Sequence, residues 1–129
     1  MEIKFDGGKA ISAHIGGHII KTDQPIEGGG QNSAPNPFQL FLASIGTCVG
    51  FFVKSFLDQR EISAEGIKIT QNNKFDEQTG LATDISFEIT LPTDFPDKYI
   101  PALIAVAEQC KVKKSIAAQP NFKVTSSKI

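Results

Sequence analysis

Tryptophan is absent from this 129-residue chain, tyrosine, methionine and arginine occur once each, and cysteine occurs only twice. Without an excess of Tyr and Trp there is little to suggest a carbohydrate or peptide groove, so the ten Phe read mainly as core filler. Charge of one sign is also missing: thirteen basic residues stand against fourteen acidic ones, a net charge of -1. Such a chain has no basic field to gather phosphate backbones or anionic lipid, which argues against nucleic acid and membrane partners. The start, Met1-Glu2-Ile3-Lys4, lacks the basic, apolar and small-residue order of a secretory signal, and the expected location is cytoplasmic. Long hydrophobic runs are lacking too. The most apolar stretch, residues 38–53, is interrupted by Gln39, Ser44 and Thr47 and closed by Lys54, short of the roughly 20 residues a bilayer needs, and it reads as a buried helix. His14 and His18 are distant in sequence from both cysteines, so neither a zinc set nor any other metal site is expected. Gly28-Gly29-Gly30 is not followed by the Lys-Ser/Thr of a phosphate loop; it reads as a mobile loop, and no cofactor is implied.

What is present describes one α+β domain over residues 1–129. An apolar share of 40% with 21% charged residues suits a packed globular core. Residues 9–21 carry isoleucines around Gly16-Gly17 and predict a hairpin, and residues 22–36, rich in Gly, Asn, Pro and Ser, predict a long loop. Asn36-Pro37 is an N-cap followed by a first-turn proline, opening a helix to about Arg60. That helix is apolar on nearly every face for four turns and roughly 36 Å long at 1.5 Å per residue, more than one small domain covers by itself. Residues 66–72 and 82–91 alternate apolar with polar side chains and predict an antiparallel pair. A helical stripe follows over residues 98–110, then a short helical turn at 113–118 and a last strand at 122–126.

Spacing alone leaves Cys48 and Cys110 open between two inert core residues and a reactive pair. Their surroundings are more specific. The segment Gly28-Gly29-Gly30-Gln31-Asn32-Ser33-Ala34-Pro35-Asn36-Pro37-Phe38-Gln39-Leu40, leading into the apolar helix with Cys48, resembles the glycine-rich loop, Asn-Pro-x-x-Leu and cysteine-bearing helix of the osmotically inducible protein C and organic hydroperoxide resistance (OsmC/Ohr) families. Cys110-Lys111-Val112-Lys113-Lys114-Ser115-Ile116 resembles their second signature, Cys-Pro-Val-x-x-Ser and an aliphatic residue. The resemblance implies an OsmC-like fold of antiparallel sheets wrapped around a long central helix, an intertwined homodimer, and both cysteines close together near the subunit interface. It further implies Cys48 as the peroxide-reducing thiol, Cys110 as the resolving one, an organic hydroperoxide as substrate and an external dithiol as reductant.

The chain also departs from that pattern. Family peroxidases carry a glutamate after the Asn-Pro pair, where Phe38 stands, and an arginine in the N-terminal strand region, where Asp6 stands; Lys111 replaces a proline. With Arg60 as the sole arginine, Cys48 is expected to be less acidic and slower than in those enzymes. Lys111, Lys113 and Lys114 read as a solvated face and receive no role, His14 and His18 read as ordinary strand residues, and Phe41, Phe51, Phe52 and Phe56 read as core. The alternative function is a non-peroxidase OsmC-like dimer that binds a small apolar molecule at the subunit interface.

Overall fold

The computed structural model describes residues 1–129 and contains five strands and three helices: β1 (Glu2–Gly7), β2 (Ala10–Ile15), β3 (His18–Thr22), α1 (Pro37–Gln59), β4 (Lys68–Phe75), β5 (Ala82–Thr90), α2 (Ile100–Ala107) and α3 (Lys111–Ala117). The expected α+β class is observed. The chain divides into two compact units, residues 1–44 and 45–129, with α1 beginning in the first and continuing into the second.

In the first unit β1, β2 and β3 form one antiparallel sheet in that order. The anticipated hairpin is β2–β3; Gly16 and Gly17 both take positive φ, 55° and 79°, which a two-residue turn of matching twist requires. β1 lies outside the expected elements, although Ile3 and Phe5 alternate with charged residues. Its register with β2 and β3 gathers Ile3, Phe5, Ile11, Ala13 and Ile20 on one face, while Lys4, Ser12 and Lys21 share a row on the other.

The loop after β3, expected to be mobile, is instead organised by a single carboxylate. Buried Asp23 accepts hydrogen bonds from the Gln24, Gln31 and Ser33 amides and from the Ser33 hydroxyl at 2.6 Å. A 3-10 turn at Ile26–Gly28 continues it. The loop ends in a capping box: Asn36 Oδ1 accepts from the Gln39 amide at 2.8 Å, and Gln39 Oε1 accepts from the Asn36 amide at 2.9 Å.

In the second unit α1 supplies a buried stripe of Ile45, Val49, Val53, Phe56 and Leu57, spaced as one helical face. The antiparallel pair β4–β5 presents half-buried Ile85, Phe87 and Ile89 on alternate positions. Together with Phe95, and Leu103 and Ala107 of α2, these side chains and Cys110 form the core. α1 stops where Glu61 turns to φ 55°, so that the Glu61 amide reaches Asp58 O and the Ile62 amide reaches Leu57 O, closing the last turn. By length and composition α1 is capable of crossing a bilayer, but its buried stripe, packed in this core, is that of a core helix.

Two expectations near the C-terminus fail. Cys110 does not end a helix that runs to it; α2 stops at Ala107 and Cys110 is the N-cap of α3. Residues 122–126 form no strand, and Phe122 and Val124 are exposed, because an isolated extended segment has no neighbour with which to pair its backbone groups.

Candidate functional site

α1 and α3 bring the two cysteines together within the second unit. Cys48 lies one turn beyond Ile45, at the edge of the buried stripe, and is half-buried. Cys110 is fully buried in the core, and both thiols are free. As N-cap of α3, the Cys110 sulfur accepts the Lys113 amide at 3.4 Å, taking up one of the donors that a helix leaves unpaired at its first turn.

The Cys110 proton has two acceptors within reach. It can be given to Ile45 O, 3.9 Å away on α1, or to the sulfur of Cys48. An ionised Cys48 is the stronger acceptor, since a charged partner roughly doubles the strength of such a bond. The Val112 and Lys111 amides at the start of α3 also point to the Cys48 sulfur.

Opposing influences therefore act on Cys48. Burial, the largest single one, pushes its thiol up; the Val112 amide, the Cys110 thiol, the Lys111 amide and the positive charge of Lys113 outweigh burial together and bring it below the ordinary thiol value. The backbone donors at the start of α3 are the part of this environment that a reading by arginines alone leaves out. The arrangement favours a thiolate at a position that solvent reaches, beside a second thiol that solvent does not.

Of the three lysines read as a solvated face, Lys111 and Lys114 are exposed, and the Lys114 ammonium bonds Gln109 Oε1 at 2.6 Å. Lys113 turns inward. Its ammonium lies 5.7 Å from the centroid of Phe87, and it lines a cavity of about 430 Å³ walled by Val49, Phe87, Leu103, Ile104 and Ala107.

Other expected residues fall elsewhere. Asp6 lies exposed on β1 and Phe38 in the first turn of α1, stacked on Phe41 with centroids 5.8 Å apart, both in the first unit. Phe56 is core as expected, whereas Phe51 is 65% exposed. His14 is a strand residue in hydrogen-bonding contact with Ser12 at 3.3 Å. No cluster of three or more His, Cys, Asp or Glu has a metal-binding arrangement.

Comparison with known proteins agrees with this fold. The chain is similar to a candidate osmotic stress induced and detoxification response protein of Psychrobacter arcticus, with 22% identity, 88% of this chain and 85% of that one covered, and a TM-score of 0.73. It is also similar to an organic hydroperoxide resistance protein OsmC of Legionella pneumophila, with 22% identity, 89% and 85% coverage, and a TM-score of 0.54. At these identities the likeness is one of fold. No curated protein matches the sequence. The profile described as OsmC-like protein matches residues 30–125, a span that holds α1 to α3 and both cysteines, and the chain therefore belongs to the OsmC-like protein family.

Proposed function

We propose that this protein reduces organic hydroperoxides through a thiol–disulfide cycle, with Cys48 as nucleophile and Cys110 as resolving thiol. The observation that carries the proposal is the pairing of a half-buried Cys48, held toward its thiolate, with a buried Cys110 whose proton reaches it. The Cys48 thiolate attacks the outer peroxide oxygen, the O–O bond breaks, and the alkoxide leaves and takes up a proton as alcohol. Cys48 is then a sulfenic acid. The Cys110 sulfur, as thiolate, attacks the Cys48 sulfur; an S–S bond forms and the hydroxyl departs as water. An external dithiol restores both thiols by exchange and is itself oxidised to a disulfide. The difference in exposure supports these roles, because a hydroperoxide reaches Cys48 more readily than Cys110.

Two free cysteines suit a reducing compartment, and the cytosol is the proposed site of action. The proposed working form is a homodimer. Ile3, Phe5 and Ile20 share one sheet face and are 57%, 89% and 40% exposed, and Phe51 on α1 is exposed as well, apolar surface that a subunit contact would take out of water.

The test is stopped-flow mixing of reduced protein with cumene hydroperoxide, followed by thiol counting and turnover with dithiothreitol. Loss of two thiols per chain, with a Cys48–Cys110 disulfide found by peptide mass, is the expected result. Thiols that survive excess hydroperoxide would overturn it. A second reading rests on the cavity of about 430 Å³, a size suited to a small apolar molecule; it predicts such a molecule bound to the purified protein and no peroxide turnover.

A further inference from the structure

The cavity of about 430 Å³ lies within the unit of residues 45–129, and neither cysteine lines it. Val49 of α1 and Leu103 and Ala107 of α2 form its floor, 1%, 0% and 8% exposed. Phe87 and Ile89 of β5 are half-buried in its wall, and Ile104 of α2, 51% exposed, stands at its mouth. Its volume falls within the roughly 300–1,000 Å³ of small-molecule sites, which are likewise mostly apolar with a few placed polar groups.

One cation enters this lining. Lys113 of α3 is half-buried, and its ammonium lies 5.7 Å from the centroid of Phe87, itself part of the cavity wall. Its stem starts from a fixed point, because the Lys113 amide is bound to the Cys110 sulfur at 3.4 Å. No carboxylate of the chain pairs with it; the two ion pairs present are Lys4–Glu2 and Lys54–Asp58. An ammonium held among apolar side chains is costly unless something answers it, and an aromatic face answers it only in part. Glu88 and Glu108 also border the cavity, but both are exposed. On β5 the half-buried positions are Ile85, Phe87 and Ile89, so Glu88 between them points to the other side of the strand. Water and salt screen the two exposed glutamates, whereas a half-buried charge acts on a bound molecule through a drier medium. Lys113 therefore sets the sign of the ligand.

We infer that this cavity binds a small alkyl carboxylate, its chain lying between β5 and α2 and its carboxylate paired with the Lys113 ammonium. This deepens the second reading, on whose cavity it rests, by giving the ligand a charged end. No bond is made or broken, and the site is apart from the thiols.

The test is isothermal titration of the reduced protein with three probes of one chain length, octanoate, octanol and octylammonium, all kept below micelle-forming concentration. Octanoate should bind roughly tenfold more tightly than octanol, and octylammonium most weakly. Lys113→Met should bring octanoate down to the affinity of octanol, Lys113→Arg should keep it, and Lys114→Met should leave it unchanged. Ile104→Trp, which fills the mouth from an exposed position, should weaken octanoate and octanol alike. Octanoate no tighter than octanol, or undiminished in Lys113→Met, overturns the inference and leaves the cavity as a site for an uncharged apolar molecule. Octylammonium as the tightest probe overturns it by giving the glutamates control of the sign. Failure of all three probes to bind sinks the inference and the second reading together. The comparison of probes in the wild-type protein needs no variant, so it decides the matter even where Lys113→Met does not fold.

Discussion

At the scale of single residues, the two thiols are distinguishable by where their chemistry stops. Cys48→Ser should abolish reaction with cumene hydroperoxide, since a serine hydroxyl is not ionised by the donors that suffice for a thiol. Cys110→Ser should permit one turnover and leave Cys48 as sulfenic acid, seen as the mass of one added oxygen and trapped by dimedone; a full catalytic cycle in Cys110→Ser would remove it as resolver. Asp23 makes a different prediction. The Ser33 hydroxyl and amide, then the Gln24 amide, hold its carboxyl at about 2 against some opposition from burial, with the Gln31 amide adding to the lowering. A depressed carboxylate stabilises the fold above its unfolded value and loses that contribution as pH falls through its folded value, here from about pH 4 to about pH 2. Asp76 is also lowered, by the Thr79 amide and hydroxyl and the Gln78 amide, and titrates in the same direction. Asp23→Asn should therefore flatten, without removing, the decline in denaturant midpoint over that window, and an undiminished decline would count against Asp23 as the anchor of its loop.

At the scale of elements, the sequence was most legible where a local rule and the packing agreed. Asn36-Pro37 announced the start of α1, and the structure adds the reciprocal Gln39 bond; Asn36→Ala should cost about 1 kcal/mol in urea unfolding. The alternation in β4 and β5 and the glycine pair of the β2–β3 turn were equally readable, because period and turn chemistry act over a few residues. Leu103 was legible as a stripe position and proves fully buried, so Leu103→Ala should cost about 2–5 kcal/mol by the same measurement. What could not be read depends on contacts distant in sequence. The break between α2 and α3 places Cys110 at a cap, and the inward turn of Lys113 follows from Phe87, which lies on another element. Three lysines within four residues, Lys111, Lys113 and Lys114, carry no mark of which one faces inward. Asp23 escaped attention for a similar reason: its four donors come from residues up to ten positions away in a loop without periodicity.

At the scale of the whole molecule, the exposed sheet face and the unpaired C-terminal segment should both respond to assembly. Light scattering at micromolar concentration should give the mass of two chains, and Phe5→Lys, which places charge on the apolar face, should shift it toward one; a stable wild-type monomer would remove the dimer proposal. Another consequence follows from the aromatic composition. With no tryptophan and Tyr99 as the only tyrosine, the near-ultraviolet emission of this protein comes from one ring, packed edge-on against Phe56 at 6.2 Å with the Arg60 guanidinium 5.5 Å from its centroid. Tyr99 belongs to the unit of residues 45–129, whereas Asp23 and the three-stranded sheet belong to residues 1–44. Emission thus reports the thiol-bearing unit alone, and far-ultraviolet circular dichroism reports both. Acid titration read by the two signals separates loss of the Asp23 loop, silent in Tyr99, from collapse of the core around Cys110. Coincident curves mean that the chain melts as a single cooperative body.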